Sequence, residues 1–395
     1  MKKYNFDEII DRRCTNSLKF DFAERRGRPG GLIPMWVADM DFKAPDEVID
    51  ALKKTAEHGI FGYSEPYDEY YDVLTDSLNR RFGWKPDPAA VVNTPGIVFA
   101  LAAAVRAYTK EGDAVIIQPP VYYPFSEVVG LNGRTLVTNP LVRGDDGVYR
   151  IDFDDFETKI KRSGAKLFIL CSPHNPVGRV FSKEELTRLG DICIKHGVTV
   201  VSDEIHSDFV YEGGKHIPFA HVKSDFAANS IICTSPAKTF NIAGLQFSDI
   251  IICDAKLREK FRAEVAKAGY SQLNTCGITA AHAAYKYGFD WLGQLVSYLD
   301  GNAAFICDYI GRNIPAIKVA RPQGTYLAWL DMRALGLAQP ELNDFIINKA
   351  GLWLDSGSIF GKEGEGFQRL NFGCPRSTVE KALKKLETAV ANSDI

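Results

Sequence analysis

The chain has 395 residues, of which 46% are hydrophobic and 25% are charged, a composition typical of globular proteins. Because this length exceeds the roughly 250–300 residues at which a single hydrophobic core stops growing, we expect two domains. The 47 Lys and Arg residues nearly balance the 50 Asp and Glu residues, for a net charge of −3. This balance, without runs of like charge, argues against nucleic acid or an anionic membrane as a partner.

The sequence carries no signal for export or membrane insertion. Residues 1–8 form no apolar signal segment, and no apolar stretch is long enough to span a bilayer. The eight cysteines include no C-x-x-C pair, and Cys171, Cys233 and Cys253 lie in apolar runs. We therefore expect a cytoplasmic protein whose cysteines are buried small hydrophobes, with neither disulfides nor a metal site.

The first element that points to a ligand is a helix predicted over residues 97–108, directly after Thr94-Pro95-Gly96. The backbone amides of Gly96, Ile97 and Val98 lie at the positive end of the helix dipole, where they can bind a phosphate group. The alternative is that Gly96 serves only as a turn residue.

Short, continuous apolar runs recur at residues 114–118, 167–171, 198–201, 231–233 and 250–253. Such runs are typical of strands buried on both faces of a parallel sheet. A helix with a capping box at Ser182–Glu185 and a terminal glycine, Gly197, separates two of them. This alternation predicts an open α/β fold with a mostly parallel central sheet, which binds ligands at the carboxyl ends of its strands.

The C-terminal third predicts a second, smaller α+β domain. A long helix over residues 291–312 is followed by Asn313-Ile314-Pro315, which we interpret as a hinge, and by strand-like stretches at 325–330 and 367–372. We expect the last helix to begin with a capping box at Ser377–Glu380. We place the large domain at residues 46–288 and the small domain at residues 1–45 together with 289–395.

Polar and aromatic side chains lie just past the predicted strand ends and indicate one shared site. They are Tyr122, Tyr123, Asn175, Asp203, His206, Ser235 and Lys238. Lys238 stands among small and hydroxyl residues directly after an apolar run, which is unusual for a solvated lysine. A lysine amine, a carboxylate and a hydrogen-bonding amide are the groups that pyridoxal 5′-phosphate (PLP) needs around its ring. We therefore predict PLP as the cofactor.

Each predicted cofactor contact has a chemical reason. Lys238 forms a Schiff base with PLP and acts as the base at Cα once the substrate amine has displaced it. Asp203 keeps the pyridine nitrogen protonated and Asn175 bonds the ring hydroxyl; a helix cap and a turn are the alternatives. His206 is interpreted either as a contact on the Asp203 side or as a structural histidine. Ser235 adds a hydroxyl to the phosphate site.

Two tyrosines and an arginine complete the predicted site. We expect Tyr122 to stack on the ring and Tyr123 to reach the substrate, with ordinary packing as the alternative for both. Either Tyr123 or Lys238 protonates the leaving group. Arg369 lies in an alternating stretch, and its planar guanidinium fits an amino-acid α-carboxylate bidentately. A structural ion pair is the alternative. Metalloprotease, hydrolase and P-loop motifs do not occur.

Longer motifs resemble fold-type-I PLP enzymes of the class I/II aminotransferase superfamily. Within it, the MalY/PatB-like cystathionine β-lyase subgroup has similar motifs to those at residues 35–42, 172–180, 202–206, 235–245 and 367–371. The resemblance covers nearly the whole chain. It implies a homodimer in which Tyr63 reaches the phosphate bound by the partner subunit, and it implies that Val37 and Ala38 line the substrate pocket.

The resemblance also implies the reaction, an α,β-elimination that converts cystathionine or a cysteine S-conjugate to a thiol, pyruvate and ammonia. Two residues depart from related patterns. Ala237 precedes the lysine where the subgroup usually has serine, and Gln246 stands where many aminotransferases carry an arginine for the phosphate. Since the subgroup generally lacks that arginine, Gln246 favours a lyase over an aminotransferase with a 2-oxo acid acceptor, which stays the alternative. A PLP-binding regulatory protein is a third interpretation.

Overall fold

The computed structural model describes residues 2–211 and 213–393. Its strands are β1 (Ile33–Pro34), β2 (Val91–Thr94), β3 (Ala114–Ile117), β4 (Thr135–Thr138), β5 (Val142–Arg143), β6 (Tyr149–Arg150), β7 (Leu167–Cys171), β8 (Thr199–Asp203), β9 (Ser230–Thr234), β10 (Ser248–Ile251), β11 (Lys318–Val319), β12 (Leu327–Asp331), β13 (Leu352–Trp353), β14 (Asp355–Ser356) and β15 (Phe367–Asn371). Its α-helices are α1 (Asp46–His58), α2 (Asp68–Phe82), α3 (Ile97–Tyr108), α4 (Pro124–Leu131), α5 (Phe153–Ser163), α6 (Lys183–His196), α7 (Phe219–Val222), α8 (Ser224–Ala227), α9 (Pro236–Thr239), α10 (Ala255–Lys267), α11 (Thr275–Tyr287), α12 (Phe289–Asn313), α13 (Gln339–Asp344) and α14 (Arg376–Ala391).

The central sheet has seven strands in the order β2-β10-β9-β8-β7-β3-β4. The strands from β9 to β4 run parallel to one another, whereas β10 is antiparallel to both of its neighbours, β9 and β2. The prediction of an α/β fold with a mostly parallel central sheet is confirmed. Neither β2 nor β4 was predicted, because β2 ends in the polar pair Asn93-Thr94 and β4 is a partly exposed edge strand.

Hydrophobic side chains cover both faces of the central sheet, as the continuous apolar runs predict. On one face, residues of β7 and β8 pack with Leu101 of α3 and Phe261 of α10. On the other face, alternate residues of the same strands pack with Leu186 and Leu189 of α6. The sheet is therefore a buried middle layer, and its strand ends hold their side chains in fixed positions.

One cysteine prediction is wrong. Cys171 and Cys233 are buried, as expected, but Cys253 is exposed. Strand β10 ends at Ile251, and Asp254 caps the next helix by accepting the N–H of Leu257. Cys253 therefore lies in the short connection between strand and helix, where the apolar run has already left the sheet.

A second, antiparallel sheet has the order β11-β12-β15-β14. Its register sets Arg369 between Trp329 on one neighbouring strand and Asp355 on the other. The N-terminal segment contacts the C-terminal third of the chain, because β1 pairs in parallel with β13. The domain boundaries given above stay a prediction.

The helix ends confirm one capping box and correct another. Ser182 and Glu185 each accept the backbone N–H of the other at the start of α6, and Gly197 ends that helix with a φ of 64°. Helix α14 instead begins after Pro375, whose carbonyl accepts the N–H of Thr378 and Val379. The capping box predicted at Ser377 is wrong, because Ser377 already lies inside the first turn. Within the described residues, no helix is both long enough and apolar enough to cross a membrane.

Candidate active site

A cavity of about 180 Å³ lies at the carboxyl ends of β7 and β8. The last residues of these strands, Cys171 and Asp203, are paired in register, and Asp203 is paired in turn with Cys233 of β9. Aligned strand ends bring distant parts of the chain to one place. Among the predicted site residues, those that line the cavity are Ala38, Gly96, Ile97, Val98, Tyr122, Asn175, Asp203, His206 and Lys238.

Lys238 lies in the short helix α9, just after β9, and its side chain is half-buried because it faces the cavity. Its Nζ donates a hydrogen bond to the carbonyl oxygen of Ala38 at 2.6 Å. Burial lowers the pKa of Lys238 to about 8, although Asp39 opposes the shift. An amine with this pKa is partly unprotonated near neutral pH, which is what a nucleophile or a base requires.

Asp203 is buried at the end of β8. Its carboxylate accepts the N–H of Ile205 at 3.1 Å. Burial raises the pKa of Asp203 to about 7, and the hydrogen bond from Ile205 opposes this shift. A cationic group bound beside this carboxylate would stabilise its ionised form.

Asn175 and His206 flank the cavity with unused hydrogen-bonding atoms. The side-chain oxygen of Asn175 accepts Nη1 of Arg369 at 3.0 Å, so its amide N–H groups are available to an acceptor. The His206 ring packs edge-on against Tyr326 at 5.6 Å. Its buried Nδ1 has no hydrogen-bond partner among the residues described, and burial lowers the pKa of His206 to about 3. The uncharged ring can therefore contact a cofactor bound in the cavity.

Helix α3 begins at the cavity wall. Gly96 is its N-cap, and Gly96, Ile97 and Val98 all line the cavity. The first N–H groups of a helix lack acceptors within the helix, and no acidic side chain occupies the first turn of α3. This helix start can therefore bind an anionic group.

The two predicted tyrosines differ in their surroundings. Tyr122 lines the cavity and packs edge-on against Phe125 at 6.1 Å. Burial raises the pKa of Tyr122, so it stays a neutral ring near neutral pH. Tyr123 does not line the cavity and is 37% exposed. Burial, followed by the negative charge of Asp355, raises the pKa of Tyr123 as well.

The hydroxyl of Ser235 forms hydrogen bonds within the protein. Its hydroxyl donates to the carbonyl oxygen of Phe247 at 2.8 Å and accepts the N–H of Ala237 at 3.1 Å, which caps α9. Ser235 lies outside the cavity lining. Its contact with a phosphate stays a prediction, and its hydroxyl in this structure positions the helix that carries Lys238.

Arg369 is 3% exposed and lies behind Asn175, outside the cavity lining. Its Nη2 donates to the carbonyl oxygen of Trp36 at 2.8 Å and also forms an ion pair with Asp355. The structural ion pair that was the alternative interpretation of Arg369 is therefore present in the structure. Arg369 Nε is buried without a partner among the described residues, so the guanidinium retains capacity for a further acceptor.

The N-terminal segment reaches the site through its backbone. The carbonyl oxygen of Ala38 accepts both Lys238 Nζ and the Tyr326 hydroxyl, the latter at 2.9 Å. Asn371 donates to the carbonyl oxygens on either side, those of Val37 and Asp39. Val37 does not line the cavity. Tyr326, Asn371 and Asp355 were not predicted, and no local sequence signal could have identified them, because each matters only through a tertiary contact.

Tyr63 lies apart from this cavity. It is 93% exposed and borders a second cavity of about 900 Å³ beside α1, α2 and α11. Within one chain, Tyr63 therefore makes no part of the Lys238 site, and its predicted reach to a partner subunit stays a prediction.

The groups around the smaller cavity fit PLP. The amine of Lys238 has a lowered pKa, Asp203 is a buried carboxylate, and the amide of Asn175 can donate. The buried Nδ1 of His206 lacks a partner among the described residues, and the N–H groups at the start of α3 can bind a phosphate. Together these groups match the amine, carboxylate, donor and anion cradle that the cofactor needs.

Comparison with known proteins agrees with this fit. The family model for class I and II aminotransferases matches residues 32–386. Cystathionine β-lyase PatB from Bacillus subtilis (strain 168) is 45% identical, over 98% of this chain and 100% of that protein. Protein MalY from Escherichia coli (strain K12) is 33% identical, over 98% of this chain and 99% of that protein. The chain belongs to the class I and II aminotransferase family.

Solved structures are also similar. A PLP-bound putative aminotransferase from Clostridium difficile 630 has a TM-score of 0.96 and 43% identity, over 98% of this chain and 100% of that one. A PLP-bound C-S lyase from Staphylococcus hominis has a TM-score of 0.91 and 35% identity, over 99% and 100%. The predictions of the PLP fold type and of the resemblance to the PatB subgroup are confirmed.

Proposed function

We propose that this protein is a PLP-dependent carbon–sulfur β-lyase that converts cystathionine or related cysteine S-conjugates to a thiol, pyruvate and ammonia. The observation that carries the proposal is the amine of Lys238, which shares one cavity with the buried carboxylate of Asp203. The 45% identity to a cystathionine β-lyase over almost the whole chain supports the lyase reaction.

Four groups of this chain would hold the cofactor. Lys238 would bind it covalently, Asp203 would bond its ring nitrogen, Asn175 would bond its ring hydroxyl, and the first N–H groups of α3 would bind its phosphate. When bound, PLP supplies an electron sink that stabilises negative charge at the substrate Cα. Tyr122 packs beside the same cavity and provides a flat, neutral surface for the ring.

Lys238 moves the proton at Cα. Its lowered pKa, about 8, leaves part of the amine free near neutral pH, so the nitrogen can accept this proton. The carbonyl oxygen of Ala38 provides an acceptor for the amine whenever it is unattached. The same carbonyl is held by the hydroxyl of Tyr326, which limits the positions that the amine can take.

Arg369 binds the α-carboxylate and Tyr123 protonates the departing sulfur. The unpartnered Nε of the buried arginine supports its role, because a buried donor without an acceptor is costly until a ligand supplies one. Tyr123 keeps its phenolic proton near neutral pH, since burial raises its pKa. A neutral phenol can donate that proton to a thiolate leaving group.

We further propose that two copies of this chain form the active unit. Ile60, Phe61, Tyr63 and Tyr67 are large and strongly exposed, and such a cluster favours an interface. In the dimer, Tyr63 would reach the phosphate of the partner subunit. The cytoplasm is the proposed location, which the eight free cysteines support because unpaired thiols are typical of reducing compartments.

The alternative is an aminotransferase, which shares every group named above. Gln246 lines the cavity in place of an arginine, and this neutral side chain supports the lyase. The deciding experiment measures pyruvate release from the PLP-loaded protein given L-cystathionine without any 2-oxo acid. Sustained pyruvate with an equal amount of thiol establishes the lyase. No pyruvate, with glutamate formed once 2-oxoglutarate is added, would make the protein an aminotransferase.

A further inference from the structure

The protein holds both terminal nitrogens of the Arg369 guanidinium, and the ring of Phe360 packs against it at 4.9 Å. Arginine has five N–H donors, and within the described residues Arg369 donates to Asn175 Oδ1, the Trp36 carbonyl and the Asp355 carboxylate. The Nε–H is buried and has no partner within the described residues. The arginine is therefore fixed in place while part of its donor set is still unused.

Asp355 is the one negatively charged side chain that pairs with Arg369 in the described part of the chain. The two residues are directly opposite each other on β14 and β15, so the sheet itself sets their contact. Asp355 is 9% exposed, and its side chain accepts a hydrogen bond from Arg369. The ion pair is thus enclosed by protein and shielded from solvent.

The negative charge of Asp355 acts on both tyrosines of the candidate site. After burial, Asp355 is the largest influence that raises the pKa of Tyr123, and it also contributes to the raised pKa of Tyr122. A carboxylate that arrives at Arg369 would therefore meet a neutral pair and would lie close to a second carboxylate. In a poorly solvated site this repulsion has a large effect on affinity.

We infer that Asp355 is a positioning residue that holds Arg369 in place and, by offsetting its charge, keeps the binding of α-carboxylates weak. This inference rests on the proposed function, in which Arg369 binds the substrate and pyruvate is a product. Weak carboxylate binding speeds the release of pyruvate, which bears the same carboxylate as the substrate. Asp355 thereby lowers the affinity for carboxylates and increases the rate of turnover.

The test measures the binding of pyruvate to the PLP-loaded protein by calorimetry. Asp355→Asn removes the charge but keeps an oxygen that can accept the bond from Nη2. We expect this variant to bind pyruvate about tenfold more tightly, or about 1.4 kcal/mol. Asp355→Glu keeps the charge and should restore the affinity of the unmodified protein. S-methylcysteamine, which has no carboxylate, should bind all of these proteins within about twofold of one another.

Matched variants separate the possible causes. Asp331 of the same sheet pairs with Arg333 and Arg143, so Asp331→Asn removes a carboxylate paired with arginine outside the site and should leave pyruvate binding unchanged. Pyruvate binding by Asp355→Asn that is unchanged or weaker would overturn the inference, as would equally tight binding by Asp355→Glu. If Asp355→Asn does not fold, Asp355→Ser carries the same expectation.

Failure of the inference is distinguishable from failure of the proposed function. If Arg369→Ala binds pyruvate as the unmodified protein does, the inference is overturned, because no carboxylate contact exists for Asp355 to weaken. Pyruvate release from cystathionine is measured separately on the unmodified protein and tests the lyase reaction whatever Asp355 does.

Discussion

The amine of Lys238 donates a hydrogen bond at 2.6 Å to the backbone carbonyl of Ala38, a residue 200 positions earlier in the chain. The same carbonyl accepts the hydroxyl of Tyr326, and Asn371 holds the neighbouring carbonyls of Val37 and Asp39. The N-terminal segment thus provides a fixed acceptor for the amine on which the proposed chemistry depends.

Replacing Lys238 by alanine should abolish turnover. General base catalysis by a positioned side chain contributes roughly 10²–10⁴-fold, and Lys238 would in addition hold the cofactor. We expect pyruvate release to fall by at least about 10³-fold and the absorbance of covalently held PLP to vanish. Turnover that persists without added amines would contradict the assigned role.

The reactivity of Lys238 should follow an unusual pH dependence in the PLP-free protein. Because burial lowers its pKa from 10.5 to about 8, the free-amine fraction increases as pH rises through about 8. We expect acetylation of Lys238, followed by mass spectrometry, to reach half of its maximal rate near that pH. A rate that continues to rise beyond pH 10, as for a lysine in a model peptide, would show that the amine is not desolvated.

Tyr326→Phe should slow turnover with little effect on substrate binding. The change removes the hydroxyl that holds the Ala38 carbonyl, so Lys238 loses a fixed position, and we expect kcat to fall about tenfold while KM changes less than about twofold. The matched control is Tyr211→Phe, since Tyr211 also donates from a buried hydroxyl to a backbone carbonyl, that of Thr325. Both variants should lose about 1 kcal/mol of stability. If kcat falls equally in Tyr326→Phe and Tyr211→Phe, Tyr326 contributes only to the stability of the fold and does not position Lys238.

Arg369→Ala should mainly weaken the binding of α-carboxylates. A hydrogen bond to a charged group contributes about 1.5–3 kcal/mol, so we expect KM for L-cystathionine to rise about 10- to 100-fold. Arg333→Ala is the control, because Arg333 forms an ion pair with Asp331 in the same sheet and is not expected to contact substrate. A KM that is the same in Arg369→Ala and the unmodified protein would refute the assignment.

Much of the fold was predictable because buried parallel strands appear in the sequence as continuous apolar runs. Strand β7 has the predicted bounds, and α3 begins and ends as expected. The polar residues at or just past the ends of such strands, Asn175, Asp203 and Lys238, could be placed in one cavity for the same reason. Predictions were wrong at Cys253 and Ser377, where an apolar run or a capping pattern continues past the boundary of its element.

The sequence by itself determined the fold class, the lysine and its carboxylate partner, and through them the cofactor. These depend on local patterns, namely apolar periodicity and the residues directly after each strand. Only the tertiary structure decided that Ser235 donates to the carbonyl oxygen of Phe247, that Ala38 holds the amine of Lys238, and that Asp355 pairs with Arg369. Such contacts join residues that are distant in the chain or lie on neighbouring strands, so they depend on the packing and register of both sheets, which no local pattern encodes.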